Sequence, residues 1–217
     1  GGSVVDFLME KKACTYPEAL ELIAQKYSIE LEYENAEVAA KIKVETDKKD
    51  KLRETLTSVY KLYRDEYSKV PEHHAARIEL ENNRQYTRED IIEWGIGYAP
   101  DNFLYDKLKN SGKVNEGLDL GLLFKGNFEN KFDAYSNRVI YPIHDANGIL
   151  VGLAGRSLKD KHKSKWVNPS VNNSNILYQK SKILFGYYKA KELIRKRNEV
   201  YLVEGYNDVI AWHKYGC

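Results

Sequence analysis

The sequence predicts an α+β fold in which helical segments come first, a small mixed β-sheet follows, and a single β–α unit stands last. Three observations support this order. Apolar side chains recur at helical spacing over roughly the first 95 residues, apart from a polar stretch over residues 32–50. Between residues 95 and 185, two runs rich in β-branched and aromatic side chains flank a turn signal, as in a hairpin. A short apolar run, Val200–Val203, then leads into an amphipathic segment.

The first helices are predicted from apolar residues spaced three and four positions apart. Residues 3–30 contain two such stretches. Thr15 could cap the second helix by accepting from the amide of Glu18, whose side chain could reach back. The next stretch, Glu32 to Asp50, is polar and poor in large apolar residues. It is predicted to be a linker, disordered in part.

Three more helices are predicted before the sheet. Helical spacing returns from Lys51 to Tyr67, and a further helix is expected from Glu72 to Asn83. Thr87 stands three residues before Asp90, the spacing of an N-terminal cap, and a short helix should follow. Gly95 is expected to end that helix, because glycine adopts the left-handed conformation found at helix C-termini.

The sheet is predicted around one hairpin. Arg138–Ile143 and Ile149–Leu153 have the composition of strands, and the turn residues Asp145–Gly148 separate them. Pro142 cannot donate a ladder hydrogen bond, so it should lie at an edge or a bulge.

The end of the chain contains the first candidate functional residue. A polar loop over 159–175 and a helix around Tyr187–Lys196 precede the apolar run Val200–Val203. Glu204 and Gly205 follow at once, which would place a carboxylate at the C-terminal end of a buried strand. Open α/β sheets bind ligands at that edge.

Composition excludes several classes of protein. Hydrophobic residues make up 42% and charged residues 30%, as in globular soluble proteins. No apolar run approaches the roughly 20 residues of a membrane helix. The first residues do not resemble a signal peptide. Cys14 and Cys217 are too few and too distant for a disulfide framework or a zinc site. We therefore expect a cytoplasmic protein, and a piece of a longer one.

Charge is unevenly distributed although the net charge is only +2. Between Lys125 and Arg197 there are 15 Lys and Arg against 5 Asp and Glu, and elsewhere 19 against 27. Such asymmetry indicates either a surface that binds a polyanion or an ordinary solvated basic face.

Six short motifs stand in order along the chain. They are Ile96–Pro100 (IGYAP), Arg138–Gly148 (RVIYPIHDANG), Gly152–Arg156 (GLAGR), Lys165–Asn168 (KWVN), Lys180–Gly186 (KSKILFG) and Glu204–Asp208 (EGYND). Each alone is weak, but together they resemble the signatures of bacterial DnaG-type DNA primases, in which the last motif opens the TOPRIM fold. Residues 3–29 resemble the end of that family's zinc-binding domain, after its last cysteines.

The resemblance implies four regions in this chain. They are a zinc-domain remnant (1–34), a linker (35–50), the N-terminal subdomain of the catalytic core (51–198) and the truncated start of TOPRIM (199–217). No zinc is expected here, because the family's cysteines are missing from the chain.

The resemblance also implies an activity. The family members are DNA-directed RNA polymerases that join ribonucleoside triphosphates into short RNA primers on single-stranded DNA during replication, with Mg²⁺ or Mn²⁺ in the complete active site. Their partner is a replicative helicase, reached through a C-terminal domain, and no membrane is involved. The family's further acids, an Asp-x-Asp motif, would lie beyond Cys217. The chain alone is therefore expected to be inactive.

Residue roles follow from the matched motifs. Glu204 is implied as the catalytic carboxylate and, with Asp208, as a metal ligand, since carboxylates suit magnesium and Asp208 follows one helical turn later. Residues implied to contact nucleic acid or nucleotide are Arg138, Arg156, Lys165, Asn168, Lys180 and Lys182. Trp166 could stack on a base or pack in the protein interior.

Some alternatives remain open, and two residues depart from the family pattern. Glu204 could simply cap the following helix. The protein could be a TOPRIM primase-helicase of phage or organellar type, a TOPRIM nuclease, or a non-catalytic module that binds single-stranded DNA. Ala134 stands where many relatives have a basic residue, which puts one template contact in doubt. Asn207 replaces the usual methionine and is expected to alter packing.

Overall fold

The structure is a computed structural model that describes residues 2–12, 16–29, 31, 36–159, 164–169 and 175–215. The chain divides into two compact units, Gly1–Lys48 and Lys49–Cys217. Both helices and antiparallel strands are present, so the α+β prediction is confirmed.

The first unit is helical. Helix α1 (Val4–Lys12) begins at Ser3, whose hydroxyl accepts from the amide of Asp6 at 3.1 Å, while Asp6 accepts from the amide of Ser3 at 2.8 Å. Helix α2 (Tyr16–Tyr27) follows. The two predicted helices are therefore confirmed, whereas the predicted cap at Thr15 lies outside the described residues.

The polar stretch predicted to be a disordered linker is helical from Ala36 onward. Helix α3 (Ala36–Lys69) runs for 34 residues without a break. It contains neither glycine nor proline, and its alanine, lysine and glutamate residues have high helix propensity. Glu45 and Lys49 also have the spacing of a stabilising pair. Polarity correctly indicated an exposed segment, but an exposed segment can still form a helix.

The second unit is built on a four-stranded sheet. Its strands, in spatial order, are β1 (Gly97–Ala99), β4 (Arg138–His144), β5 (Leu150–Ser157) and β6 (Trp166–Val167). All pairings among the described strands of this sheet are antiparallel, so the sheet is antiparallel and not mixed as expected. The predicted hairpin explains this, because a tight turn can join only antiparallel neighbours. A second hairpin pairs β2 (Leu123–Lys125) with β3 (Lys131–Asp133).

Pro142 lies within an interior strand, yet it interrupts little of the hydrogen bonding between strands. Strand β1 pairs with β4 only as far as the Gly97–Ile140 pair, so Pro142 lies past its end. A bulge follows between Ile143 and His144, close to where the sequence predicted one.

The sheet is buried on both faces. On one side, Val139 and Tyr141 of β4 pack in a cluster that includes Trp94 of helix α5 (Arg88–Trp94). On the other side, Ile140 packs with Leu56 of α3. Helices α6 (Leu104–Asn110) and α7 (Val114–Asp119) cover that second side. Burial on both faces accounts for the nearly continuous apolar run of β4.

The helices before β1 agree with the sequence in part. Thr87 and Asp90 form the predicted capping box of α5, and Gly95 ends the helix with φ of 62°. The helix expected over Glu72–Asn83 is instead a short helix α4 (Ala75–Arg77) followed by a π-helical turn (Ile78–Asn83).

At the C-terminal end, helix α8 (Tyr187–Arg197) and helix α9 (Tyr206–Lys214) form as predicted. The predicted strand Val200–Val203 does not: none of the described strands pairs with it, and Leu202 is 80% exposed. A strand requires a neighbour to accept and donate its backbone hydrogen bonds. The expected β–α unit is therefore represented by its helix alone.

Within the described part of the chain, no helix has both the length and the apolar character needed to cross a membrane.

Candidate nucleic-acid interface

Arg138, at the start of β4, is 3% exposed. Its guanidinium donates to the carbonyl oxygens of Gly155 at 3.2 Å, Lys165 at 3.3 Å and Ser164 at 3.0 Å. Burial lowers the pKa of Arg138. These bonds join β4 to β5 and to the segment before β6. Arg138 therefore holds the backbone that presents Lys165, and its direct contact with nucleic acid stays a prediction.

Arg156, on β5, shares a carboxylate with a second arginine. Its Nε donates to Oε1 of Glu79 at 2.6 Å, and Nε of Arg84 donates to the same oxygen at 2.9 Å. The side chains of Arg156 and Glu79 are only 12% and 13% exposed. Two guanidinium groups are thus held side by side by one negative charge, which leaves a net positive charge at the cluster.

Glu79 is kept ionised by its neighbours. Burial raises its pKa, but hydrogen bonds from Asn83 and Arg84 and the charge of Arg156 outweigh that effect and hold the pKa below its usual value of 4.5. The folded state therefore binds this proton less readily than the unfolded state. It follows that Glu79 stabilises the fold above about pH 4.5 and loses that contribution as the pH falls through its folded-state pKa.

Replacing Glu79 with Gln should destabilise the second unit by about 2 kcal/mol at pH 7, since charge-assisted bonds to both arginines are lost. The difference in unfolding free energy between the two proteins should shrink as the pH is lowered from about 4.5 towards 3. Urea unfolding across that range measures it. A difference that stays constant with pH would mean that the charge of Glu79 contributes nothing to stability.

Trp166, on β6, packs inside the protein. Its ring lies 5.3 Å from that of Tyr141 and 5.1 Å from that of Tyr206, and the Arg156 guanidinium lies 5.7 Å from its centroid. The indole is partly buried against the core. Of the two roles open from the sequence, this geometry favours packing over base stacking.

The remaining predicted contacts lie at the surface. Lys165 and Asn168 flank β6 and are exposed, and Lys180 and Lys182 are exposed on a short 3₁₀ turn (Lys180–Lys182). The amide oxygen of Asn168 accepts a hydrogen bond from the hydroxyl of Tyr206 at 2.8 Å. That bond connects β6 to the first turn of α9.

A cleft of about 470 Å³ brings three of the predicted residues together. Asn168, Lys180 and Glu204 all line it, and much of the remaining lining is apolar, including Phe185 and Val209. The other predicted residues, Arg138, Arg156, Lys165, Lys182 and Asp208, do not line it.

Glu204 and Asp208 flank the start of α9. Both are exposed. Asp208 accepts a hydrogen bond from the amide of Gly205 at 3.1 Å, so it is Asp208, rather than Glu204, that caps the helix. Among the described residues, no group of three or more His, Cys, Asp or Glu side chains could hold a metal ion.

No sequence pattern indicated Arg84 and Glu79. Isolated charged residues in a helical stretch form no pattern, and Glu79 is 77 positions from Arg156. Their partnership depends on the π-helical turn approaching β5. The family signatures marked Arg156 alone.

Comparison with known proteins identifies the family. Residues 62–191 match the DNA primase catalytic core, N-terminal domain, and the chain belongs to that family. The DNA primase of Halalkalibacterium halodurans is 33% identical over the whole of this chain. A structure described as the DnaG primase catalytic domain bound to ssDNA superposes with a TM-score of 0.69 at 26% identity, covering 79% of this chain and 54% of its own.

A structure of the Aquifex aeolicus primase that includes zinc-binding and RNA polymerase domains has a TM-score of 0.68 at 26% identity, and covers 99% of this chain and 49% of its own. The chain spans only 35% of the length of the H. halodurans primase.

Proposed function

We propose that this chain provides the template-binding part of a DNA primase, an RNA polymerase that synthesises short RNA primers on single-stranded DNA during replication. The observation that carries the proposal is the cleft in which Asn168 and Lys180 meet Glu204. The cleft therefore joins residues suited to bind a polyanion to a carboxylate suited to the chemistry. A module that only binds DNA has no need of that carboxylate.

The basic residues would bind phosphate groups. Lys165, Lys180 and Lys182 are exposed, and can bind a phosphate backbone through charge and counterion release. Arg156 and Arg84 are held more rigidly by Glu79, with a net positive charge. Single-stranded DNA is the proposed template, in keeping with the ssDNA complex of the similar catalytic domain.

Glu204 and Asp208 would hold a divalent cation. Magnesium is commonly bound through one or two carboxylates, with water and substrate phosphates completing its coordination, so the two acids fit it. When bound, such an ion neutralises charge on the phosphate under attack. The implied substrates are ribonucleoside triphosphates. We extend the proposal to a replicative helicase partner, on the family resemblance.

The domain assignment belongs to the same proposal. The structure that includes a zinc-binding domain matches 99% of this chain, whereas the isolated catalytic domain matches 79%. The difference is close to the size of the first compact unit. We therefore assign residues 1–34 to the end of a zinc-binding domain and 35–50 to a helical linker. Residues 51–198 form the N-terminal subdomain of the core, and 199–217 the start of TOPRIM.

Fluorescence anisotropy with a labelled single-stranded oligonucleotide tests the template role. The double variant Arg156→Ala/Lys165→Ala should bind about tenfold more weakly in low salt, and its affinity should depend less steeply on salt because fewer counterions are released. Lys165→Ala alone should show part of the loss of affinity. Because Lys165 is exposed, this change should not disturb folding.

The matched control removes the same charge elsewhere. Lys107→Ala/Lys109→Ala changes two exposed lysines of α6 that are not among the predicted nucleic-acid contacts, and should leave affinity nearly unchanged. Equal losses of affinity in both double variants would mean that binding reflects overall charge. Affinity that changes neither with salt nor with the Arg156→Ala/Lys165→Ala variant would refute the proposed interface.

A further inference from the structure

A single side-chain amide in the first turn of α9 accepts hydrogen bonds from two buried hydroxyl groups. Oδ1 of Asn207 accepts a hydrogen bond from Tyr86 at 2.9 Å and from Tyr141 at 3.0 Å. Tyr86 is 5% exposed and Tyr141 is fully buried. A carbonyl oxygen has two acceptor sites, so one amide oxygen satisfies both tyrosines.

These hydroxyls depend on Asn207 as a partner. Burial is the main reason that the pKa of Tyr86 and of Tyr141 is raised, so both remain neutral donors. A buried donor left without an acceptor destabilises the folded state by its full desolvation penalty. The folded state is therefore more stable with Asn207 in this position. If the turn moved away, both hydroxyls would lose their acceptor.

The two hydrogen bonds of Asn207 connect the basic residues of the proposed site with its acidic residues. Tyr86 follows Arg84 by two residues, and Tyr141 lies in the centre of β4. Asn207 lies beside Asp208 and three residues after Glu204. The charges of Arg84 and Asp208 act in opposite directions on the pKa of the Tyr86 hydroxyl, so this hydroxyl lies near both the basic cluster and the acidic turn.

We propose that Asn207 is a positioning residue that fixes the turn carrying Glu204 and Asp208 against the frame that holds Arg84 and Arg156. The functional meaning of that placement rests on the proposed function, whereas the placement itself does not. The family signature has methionine at this position, and its thioether is only a weak acceptor. This chain uses hydrogen bonds where the signature residue would pack.

The opposite end of α9 has separate anchors. Lys214 donates to Asp90 at 2.7 Å and to the carbonyl of Gln85 at 2.7 Å, and His213 lies 3.2 Å from Glu93. Removing the Asn207 bonds should therefore release the first turn while the last turn stays attached. The expected effect is local to residues 204–209.

The test is hydrogen exchange on the chain with Asn207→Leu. The amides of Asp208 and Val209, which both donate to the carbonyl of Gly205 at 3.1 Å, should exchange about ten- to a hundredfold faster, because two buried hydroxyls lose their acceptor and the turn opens more often. Amides of β4 and β5 should be unchanged. Tyr98→Phe is the matched control: it removes another tyrosine–asparagine hydrogen bond, to Asn137 at 3.3 Å, and should leave exchange in α9 as it was.

A second variant separates positioning from general packing. Changing Tyr86 and Tyr141 to Phe along with Asn207→Leu replaces all three polar partners with apolar ones, and should return exchange in the first turn of α9 to near its original rate. Equal acceleration across α9, β4 and β5 in Asn207→Leu, or no recovery in the triple variant, would overturn the inference. Oligonucleotide affinity reports on the proposed function independently, since these exchange rates are measured without nucleic acid.

Discussion

Replacing Arg138 with Ala should destabilise the second unit by about 3 kcal/mol, because charge-assisted bonds to carbonyl groups are lost in a buried site. Of the three carbonyls, that of Gly155 belongs to a buried residue in the middle of the sheet, where water cannot easily replace the guanidinium. The carbonyls of Ser164 and Lys165 lie nearer the surface and can be hydrated. The main loss therefore falls on the contact between β4 and β5.

The same change should weaken binding to single-stranded DNA, although Arg138 itself is buried. Without its bonds to Ser164 and Lys165, the segment that presents the Lys165 side chain would lose its fixed position. Urea unfolding and oligonucleotide anisotropy measure the two effects. Arg138→Lys should recover part of the stability, since one ammonium can reach some of the carbonyls.

A surface arginine provides the control for Arg138. Arg195 on α8 is 81% exposed in its side chain and pairs with Glu192 at 3.5 Å, so Arg195→Ala should change stability by less than about 0.5 kcal/mol. Comparable losses in the two variants would mean that burial of Arg138 has no energetic consequence.

Replacing Asp133 with Ala should also destabilise the second unit by about 3 kcal/mol. This carboxylate is 9% exposed and accepts from three successive backbone amides at the start of α6. Oδ2 accepts from Phe103 and Leu104, each at 2.7 Å, and Oδ1 accepts from Tyr105 at 2.8 Å. The negative charge also faces the positive end of the helix dipole.

Asp133→Asn is the informative companion variant. Asparagine retains one oxygen acceptor, but it removes the charge and turns the other acceptor into a donor. The variant should therefore be less stable than the original protein but more stable than Asp133→Ala. Urea unfolding measures both. If Asn and Ala destabilise equally, one retained oxygen acceptor is not enough, and the stabilisation requires the complete carboxylate. If neither has an effect, the three amides do not depend on Asp133.

Local patterns predicted much of the second unit. The hairpin of β4 and β5 followed from two apolar runs around a turn, and the cap of α5 followed from Thr87 and Asp90, because these features depend on neighbouring residues only. The disorder predicted within Glu32–Asp50 was wrong for residues 36–50, because low apolar content indicates exposure rather than disorder and α3 forms through helix propensity.

Sequence motifs could name candidate site residues, but they could not say which of them the fold brings together or how each is held. The motifs named Arg138, Arg156 and Glu204 without distinguishing them. Burial then made Arg138 a structural anchor, and the approach of Glu79 made Arg156 one of a pair. Both outcomes depend on contacts between residues far apart in sequence.

The sequence by itself determined the family, the fold class and the acidic motif at the end of the chain, because motifs and periodicity are local. Only the tertiary structure decided that Asn207 bridges two tyrosines and that no described strand pairs with Val200–Val203. The physical reason is common to both: hydrogen bonds across the fold depend on which groups meet in space, and a residue's own neighbours in sequence do not specify that meeting.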